Sequence, residues 1–345
     1  MNVAHQVESI KLMRQRNSFR LAVILLLLVL CVLSFLFSVG MGSLKITIPE
    51  VIEAIVNKTE TTNRQIIWNI RLPRTIVAGL VGICLSLSGG ILQGVMKNPL
   101  ASPSIIGVSS GAGIAATIIL VLLPKHYYLI IPCAFLGSLA ATLLIYALAW
   151  KGGIKPMRMV LAGVAVSSFL SAWINALMVF FPNRVHGVID FMVGGLAARS
   201  WKHFSLLWPY ALVGLVLVSI LANKLNVLAL GDEIATNLGV NVERMRLVLV
   251  ALASLLAASA VSVVGMLGFV GLIVPHTVRL IIGSDYRYLL PASTIFGATL
   301  VMFCDTVARI AMDPIEVPVG IIMAMLGAPF FLYLLKGGLT RDVKS

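Results

Sequence analysis

Apolar runs of membrane-crossing length follow one another along all 345 residues of this chain, and they leave it few ways to fold. About 20 apolar residues cross the hydrocarbon core of a bilayer as a helix. In lipid every backbone N–H and C=O must find a partner within the protein, so such runs become helices rather than open strands. Charged residues are 11% of the chain and hydrophobic ones 59%, whereas soluble domains are ~25% charged. A soluble enzyme carrying one anchor is therefore excluded. The expected fold class is an all-α integral membrane protein, a single polytopic domain over residues 1–345.

Ten transmembrane helices can be read, at about 20–39, 75–95, 104–123, 127–150, 156–181, 205–223, 246–265, 266–283, 289–311 and 317–336. The seventh and eighth share one apolar stretch, interrupted only by Gly265, Gly268, Gly271 and Pro275. Its length of roughly 38 residues is about twice a crossing, which is the reason for the division; hydropathy alone would return nine spans. The first forty residues resemble a signal peptide. Ser38–Met41 is a poor cleavage site, however, and the run is long enough to span, so a retained first helix is expected.

The net charge of +13 is dispersed among loops and is read as topology rather than as a nucleic-acid footprint. With the N-terminus inside, sixteen of the 26 Lys and Arg face inward, among them Lys11, Arg14, Arg16, Arg20, Lys97, Lys151, Lys155 and Arg246. The prediction is N-in and C-in with an even number of spans, and residues 1–19 as a cytoplasmic tail. The outer cations then need an explanation of their own.

Catalysis finds no support. Gly89 and Gly94 have the glycine spacing of a phosphate loop, but Val95 and Met96 stand where Lys and Ser/Thr are required. Cys31, Cys84, Cys133 and Cys304 fall in four different spans without metal-ligand spacing, and the five histidines are scattered. No catalytic residue, metal site or bound cofactor is expected of this chain. Asn57–Thr59 fits a glycosylation sequon, a pattern common by accident. Asp305 and Arg309, four apart on one helix face, can pair with each other. An ion-coupled transporter needs more intramembrane charge than this, so transport here would draw its energy from a partner. A secondary transporter or channel working alone is the competing class.

Four segments stand out. In the loop 228–246, Gly231 and Gly239 bracket a short helix led by Asp232 and Glu233, where the dipole favours acids. Gly239 is placed to end that helix and Asn241 to cap the next. Ile234 and Leu238 form one apolar edge, with Ala235 beside them. A lipid-surface helix would instead be rich in Lys and Arg, so the loop reads as a protein contact. At the opposite face, Arg71-Leu-Pro-Arg74 opens the second span, with Pro73 suited to a first helical turn. Together with Arg309 these arginines are expected to face outward, suited to bidentate capture of carboxylates. Glycines and serines from Gly79 to Gly94 and from Gly107 to Gly113 form a seam for close helix packing. Pro275 and Pro329 break apolar segments in the C-terminal third.

These residues resemble, in order, the permease subunits of ABC importers for ferric siderophores, haem and cobalamin, of the FecCD type. The matching elements are Arg71-Leu-Pro-Arg74, Asn98-Pro-Leu-Ala101 with Gly107–Gly113, the Gly231–Gly239 loop, Gly268–His276 and Leu326–Pro329. The resemblance implies a type II importer permease of ten helices, paired with a second permease subunit as homo- or heterodimer. ABC ATPase subunits, which bind ATP and Mg, would dock at Gly231, Asp232, Glu233, Ile234, Ala235, Leu238 and Gly239. An extracytoplasmic substrate-binding protein would place glutamates on Arg71, Arg74 and Arg309. Asp190, Gly194 and Gly195 match the region that forms the gate. A ferric siderophore is the default cargo, with haem and cobalamin open.

Overall fold

The structure, a computed structural model, describes residues 3–42, 62–150 and 156–342, with side chains over 16–42, 62–150 and 156–333. The Asn57–Thr59 sequon, Lys151 and Lys155 lie outside the described residues, as do the side chains of Lys11 and Arg14. Twelve helices follow one another: α1 Val3–Gly40, α2 Thr62–Val95, α3 Val108–Leu122, α4 Ile130–Ala149, α5 Pro156–Phe180, α6 Val185–Val193, α7 Trp201–Ala229, α8 Asp232–Asn237, α9 Val242–Val264, α10 Val270–Ile282, α11 Tyr286–Ile310 and α12 Val319–Asp342. No β-strand forms among the described residues.

Seven of these helices are long and apolar enough to cross a membrane, and α3, α10 and the Val319–Tyr333 part of α12 are shorter apolar helices, so seven plus three match the ten spans expected. The division within 246–283 falls at Gly265–Phe269, where Gly265 (φ +81°) and Phe269 (φ +66°) turn the chain out of helical geometry. The second span begins earlier than expected, at Thr62 rather than near 75. Its continuation through Pro73 is made possible by a π-helical turn at Ile67–Arg71. Leu72 N–H donates to the Ile67 carbonyl, a bond five residues back. Proline has no N–H with which to make the next such bond, to Trp68. The Trp68 carbonyl instead accepts the indole N–H of Trp201 at 2.9 Å, and the two rings lie 5.7 Å apart.

Buried along most of its length, α2 packs against α7, α9, α10 and α11. Its glycines permit this approach. A methyl group at Gly82 would overlap the Gly297 carbonyl of α11, and one at Gly89 would overlap the Gly271 carbonyl of α10. Gly111 and Gly137 bring α3 and α4 together in the same way. In lipid, packing of this kind replaces the hydrophobic drive between helices. Interhelical hydrogen bonds add to it, from Ser88 Oγ to the Ala253 carbonyl at 2.6 Å and from Gln93 Nε2 to the Leu272 carbonyl at 3.2 Å. Cys84 and Cys304 are buried, free thiols.

The polar residues gather at the two ends of the bundle. At one end Arg20 donates to the Ile282 carbonyl at 3.1 Å, and Asn226 Nδ2 donates to Asp285 at 2.9 Å. Lys97 and Arg246 meet Asp232 there. At the other end lie Arg71, Arg74, Asp305, Arg309 and Glu316. These are the two groups of cations that the charge bias assigns to the inner and outer faces.

Candidate functional site

At the inner end, α8 starts at Gly231 (φ +123°) and stops at Gly239 (φ +79°), backbone angles that suit glycine. Gly239 N–H donates to the Thr236 carbonyl at 2.9 Å and Val240 N–H to the Ala235 carbonyl at 3.0 Å. That pair of bonds is a Schellman stop. Asn241 caps α9 by accepting the Arg244 N–H at 3.0 Å. Ala235 is fully buried and fixes the loop to the bundle, while Ile234 and Leu238 are 48% and 60% exposed. An apolar edge thus faces outward from a six-residue helix, with exposed Glu233 beside it.

Asp232 has a different task from Glu233. It accepts from Lys97 Nζ at 2.8 Å and from Arg246 Nη2 at 2.8 and 3.0 Å. Lys97 closes α2 and Arg246 opens α9, so one carboxylate ties the loop to both helices. Partial burial opposes its ionisation. The Lys97 hydrogen bond and the Arg246 charge outweigh that and hold the Asp232 carboxyl below its ordinary value. This latch is invisible in sequence, because Lys97 is 135 residues from Asp232.

At the outer end the expectation of outward-facing arginines is corrected. Arg71, Arg74 and Arg309 are 5%, 6% and 6% exposed. Arg71 Nη1 donates to the Val39 and Gly40 carbonyls at 3.1 and 2.7 Å, the last turn of α1, where a cation meets the negative dipole end. Arg309 Nη2 reaches the Ser38 carbonyl and Ser38 Oγ, both at 2.9 Å. Arg74 grips Asp305 with Nε at 3.0 Å and Nη2 at 2.9 Å, and its Nη1 reaches Glu316 at 2.8 Å. Asp305 and Arg309 pair as their spacing predicts, Nε lying 3.3 Å from Oδ2, though without hydrogen-bond alignment. Removed from water, these guanidinium groups satisfy α1, α11 and the 316 segment. Glu316, 43% exposed, is the part of the cluster that reaches solvent.

Asp190, Gly194 and Gly195 fall at a junction of three segments. Gly195 N–H donates to the Val264 carbonyl at 2.8 Å, and Met266 N–H to Phe191 at 2.8 Å. Gly320 N–H donates to Gly194 at 3.2 Å. A methyl group at Gly265 or Gly320 would overlap the Phe191 or Val193 carbonyl. The end of α6, the break between α9 and α10, and the start of α12 therefore meet backbone to backbone. A cavity of about 960 Å³ borders this junction and is lined by residues including Asp190, Gly195, Val264, Arg199 and Glu316.

A ten-helix bundle with a helical loop at one end and a backbone junction beneath a cavity at the other is the form of a membrane permease. The chain belongs to the FecCD transport family, whose description matches residues 27–337. It is 40% identical over 327 residues to the Fe(3+)-citrate import system permease protein YfmE of Bacillus subtilis, covering 94% of this chain and 98% of that one. Over 285 residues it is 43% identical to the cobalamin import system permease protein BtuC of Halobacterium salinarum, covering 82% and 76%. Among solved structures, a metal-chelate type ABC transporter in an inward-facing conformation matches with a TM-score of 0.83 at 29% identity, covering 92% of this chain and 99% of that one. The chain is an integral-membrane ABC importer permease, and its family is one of transport permeases.

Proposed function

We propose that the chain moves ferric chelates of the siderophore class inward across the cytoplasmic membrane, with ATP and Mg bound by separate ATPase subunits. A second permease subunit and an external substrate-binding protein complete the assembly. The observation that carries this reading is α8: a helix led by acids, latched to α2 and α9 through Asp232, with Ile234 and Leu238 exposed at its outer edge. Such an element can receive a push from a docked protein and pass it to the buried central helix. The Gly194–Gly195 junction is the proposed gate, because a shift of α10 or α12 would break its backbone bonds. Iron as cargo is supported by the iron-citrate relative, whereas the cobalamin relative supports a corrinoid.

The test is transport into proteoliposomes holding the purified complex, with ferric citrate, a ferric hydroxamate, haemin and cobalamin offered singly. Accumulation of a ferric chelate that needs ATP and the ATPase subunit is expected. Accumulation without either would point to a transporter working alone, and accumulation of cobalamin only would replace the cargo.

A further inference from the structure

The cavity beside the Gly194–Gly195 junction is lined by cations that have no counter-charge among the described residues. Its lining carries donors from Tyr127, Arg199, Lys202 and His203, and carboxylates from Asp190 and Glu316. Glu316 is committed to Arg74, which also grips Asp305. Arg199 makes no ion pair among the described residues, and its Nε is buried without an acceptor. Lys202, one turn away and exposed, has no ion pair among the described residues either. Among the described residues Asp190 is the one lining carboxylate left, so two uncommitted cations share the cavity with one uncommitted anion.

His203 adds a directed donor. Its Nδ1 accepts the Ser200 N–H at 3.2 Å in a capping box at the start of α7. The ring proton of the neutral imidazole then sits on Nε2. Arginine keeps its charge in any protein setting, and a buried charge without a partner is costly. Burial, despite the nearby Tyr127 and reinforced by Arg74, pushes Arg199 below the usual arginine range. At about 960 Å³ the space is large enough for a small chelate.

We propose that this cavity is a vestibule for an anionic, carboxylate-bearing ferric chelate, held by Arg199, Lys202 and the His203 Nε2–H before it reaches the Gly194–Gly195 junction. The proposal rests on the import reading above and narrows its cargo. A carboxylate offers Arg199 the bidentate geometry that a neutral chelate lacks. A neutral cargo would leave the guanidinium uncompensated.

The permease–ATPase complex in nanodiscs of zwitterionic lipid, without the binding protein, is titrated calorimetrically with ferric citrate and with a neutral ferric hydroxamate. Saturable, salt-sensitive binding of ferric citrate is expected. The pair Arg199→Gln and Lys202→Gln should weaken it by about tenfold or more, as loss of charge-assisted hydrogen bonds implies. Arg199→Lys with native Lys202 should keep part of the binding, supplying the charge without the bidentate grip, whereas a misfolded site would keep none. Equal weakening for both chelates, or none for either, overturns the vestibule. So does acidic phospholipid that co-purifies with the native complex, is lost from the double variant, and leaves no ferric citrate binding once removed. Uptake of radioactive iron by cells carrying the native importer is measured alongside. Import of ferric citrate without nanodisc binding overturns the vestibule alone, whereas import of no ferric chelate at all overturns the reading beneath it.

Discussion

The two ends of this bundle use charge in opposite ways. At the outer end, three arginines that look like contact residues are turned inward and consumed by α1, Asp305 and Glu316. At the inner end, one acid of the α8 pair is consumed as a latch, while the apolar edge beside it stays free. Similar sequence signals, a charged pair at a helix start beside a loop, therefore serve cohesion in one place and presentation in the other. What separates them is desolvation: a buried ion pair must be complete, whereas an exposed helix edge can wait for a partner.

The sharpest way to break the comparison is to remove the carboxylate at the centre of the outer cluster. Asp305 is 1% exposed and faces both Arg74 and Arg309. Asp305→Asn keeps the shape and removes the charge, leaving two buried guanidinium groups short of an anion. Breaking one partner of a buried pair costs about 3–5 kcal/mol. Thermal unfolding in detergent should show the largest loss of any variant considered, and an unchanged midpoint would mean that water reaches the cluster. For the same reason, reversal of Arg71 and Arg74 to Glu does not isolate a docking role, because it also places acids against Asp305 and the carbonyl end of α1.

The inner latch should matter less. Asp232 is half exposed, so its bonds to Lys97 and Arg246 are screened, and Asp232→Asn should cost about 0.2–1 kcal/mol. Hydrogen exchange is the suitable measurement: amides of α8 should exchange faster while those of α2 keep their protection. The pH dependence has a definite sign. The folded carboxyl is held below the ordinary 3.8, so its stabilisation is present at pH above 3.8 and is lost as pH falls through the depressed value. Protection of α8 that weakens on raising the pH from 5 to 7 would contradict the latch.

How much of this was legible in sequence follows from the range of each constraint. All ten spans could be read, because lipid forces each apolar run to satisfy its own backbone. The α8 caps could be read too, since Gly231, Gly239 and Asn241 act within a few residues. Partners at long range could not. Arg71 finds backbone carbonyls 31 and 32 residues away that carry no charge signature. Arg74 finds Asp305 and Glu316, which are 231 and 242 residues distant. The start of the second span was misplaced because Pro73 suggested a helix beginning, while the π-turn and the Trp201 indole let the helix continue through it. Arg199 and Lys202 lie in an unremarkable stretch, and only the folded chain brings them to a cavity.

The smallest effect on stability should accompany the largest effect on partnership. Ile234 and Leu238 are exposed and sit on a helix held by the buried Ala235 and by Asp232. Ile234→Ser with Leu238→Ser should therefore leave unfolding within about 0.5 kcal/mol of the native chain, as surface substitutions do. If the edge is the ATPase contact, co-purification of the ATPase should fall sharply, since small apolar anchors in a docking pocket carry much of such an interface. Glu233→Lys, tested alone, asks whether the free acid contributes, without disturbing the Asp232 latch. Full ATPase recovery with both apolar residues removed would show that this exposed edge is not the ATPase contact. The contrast between the two ends would then reduce to exposure without function.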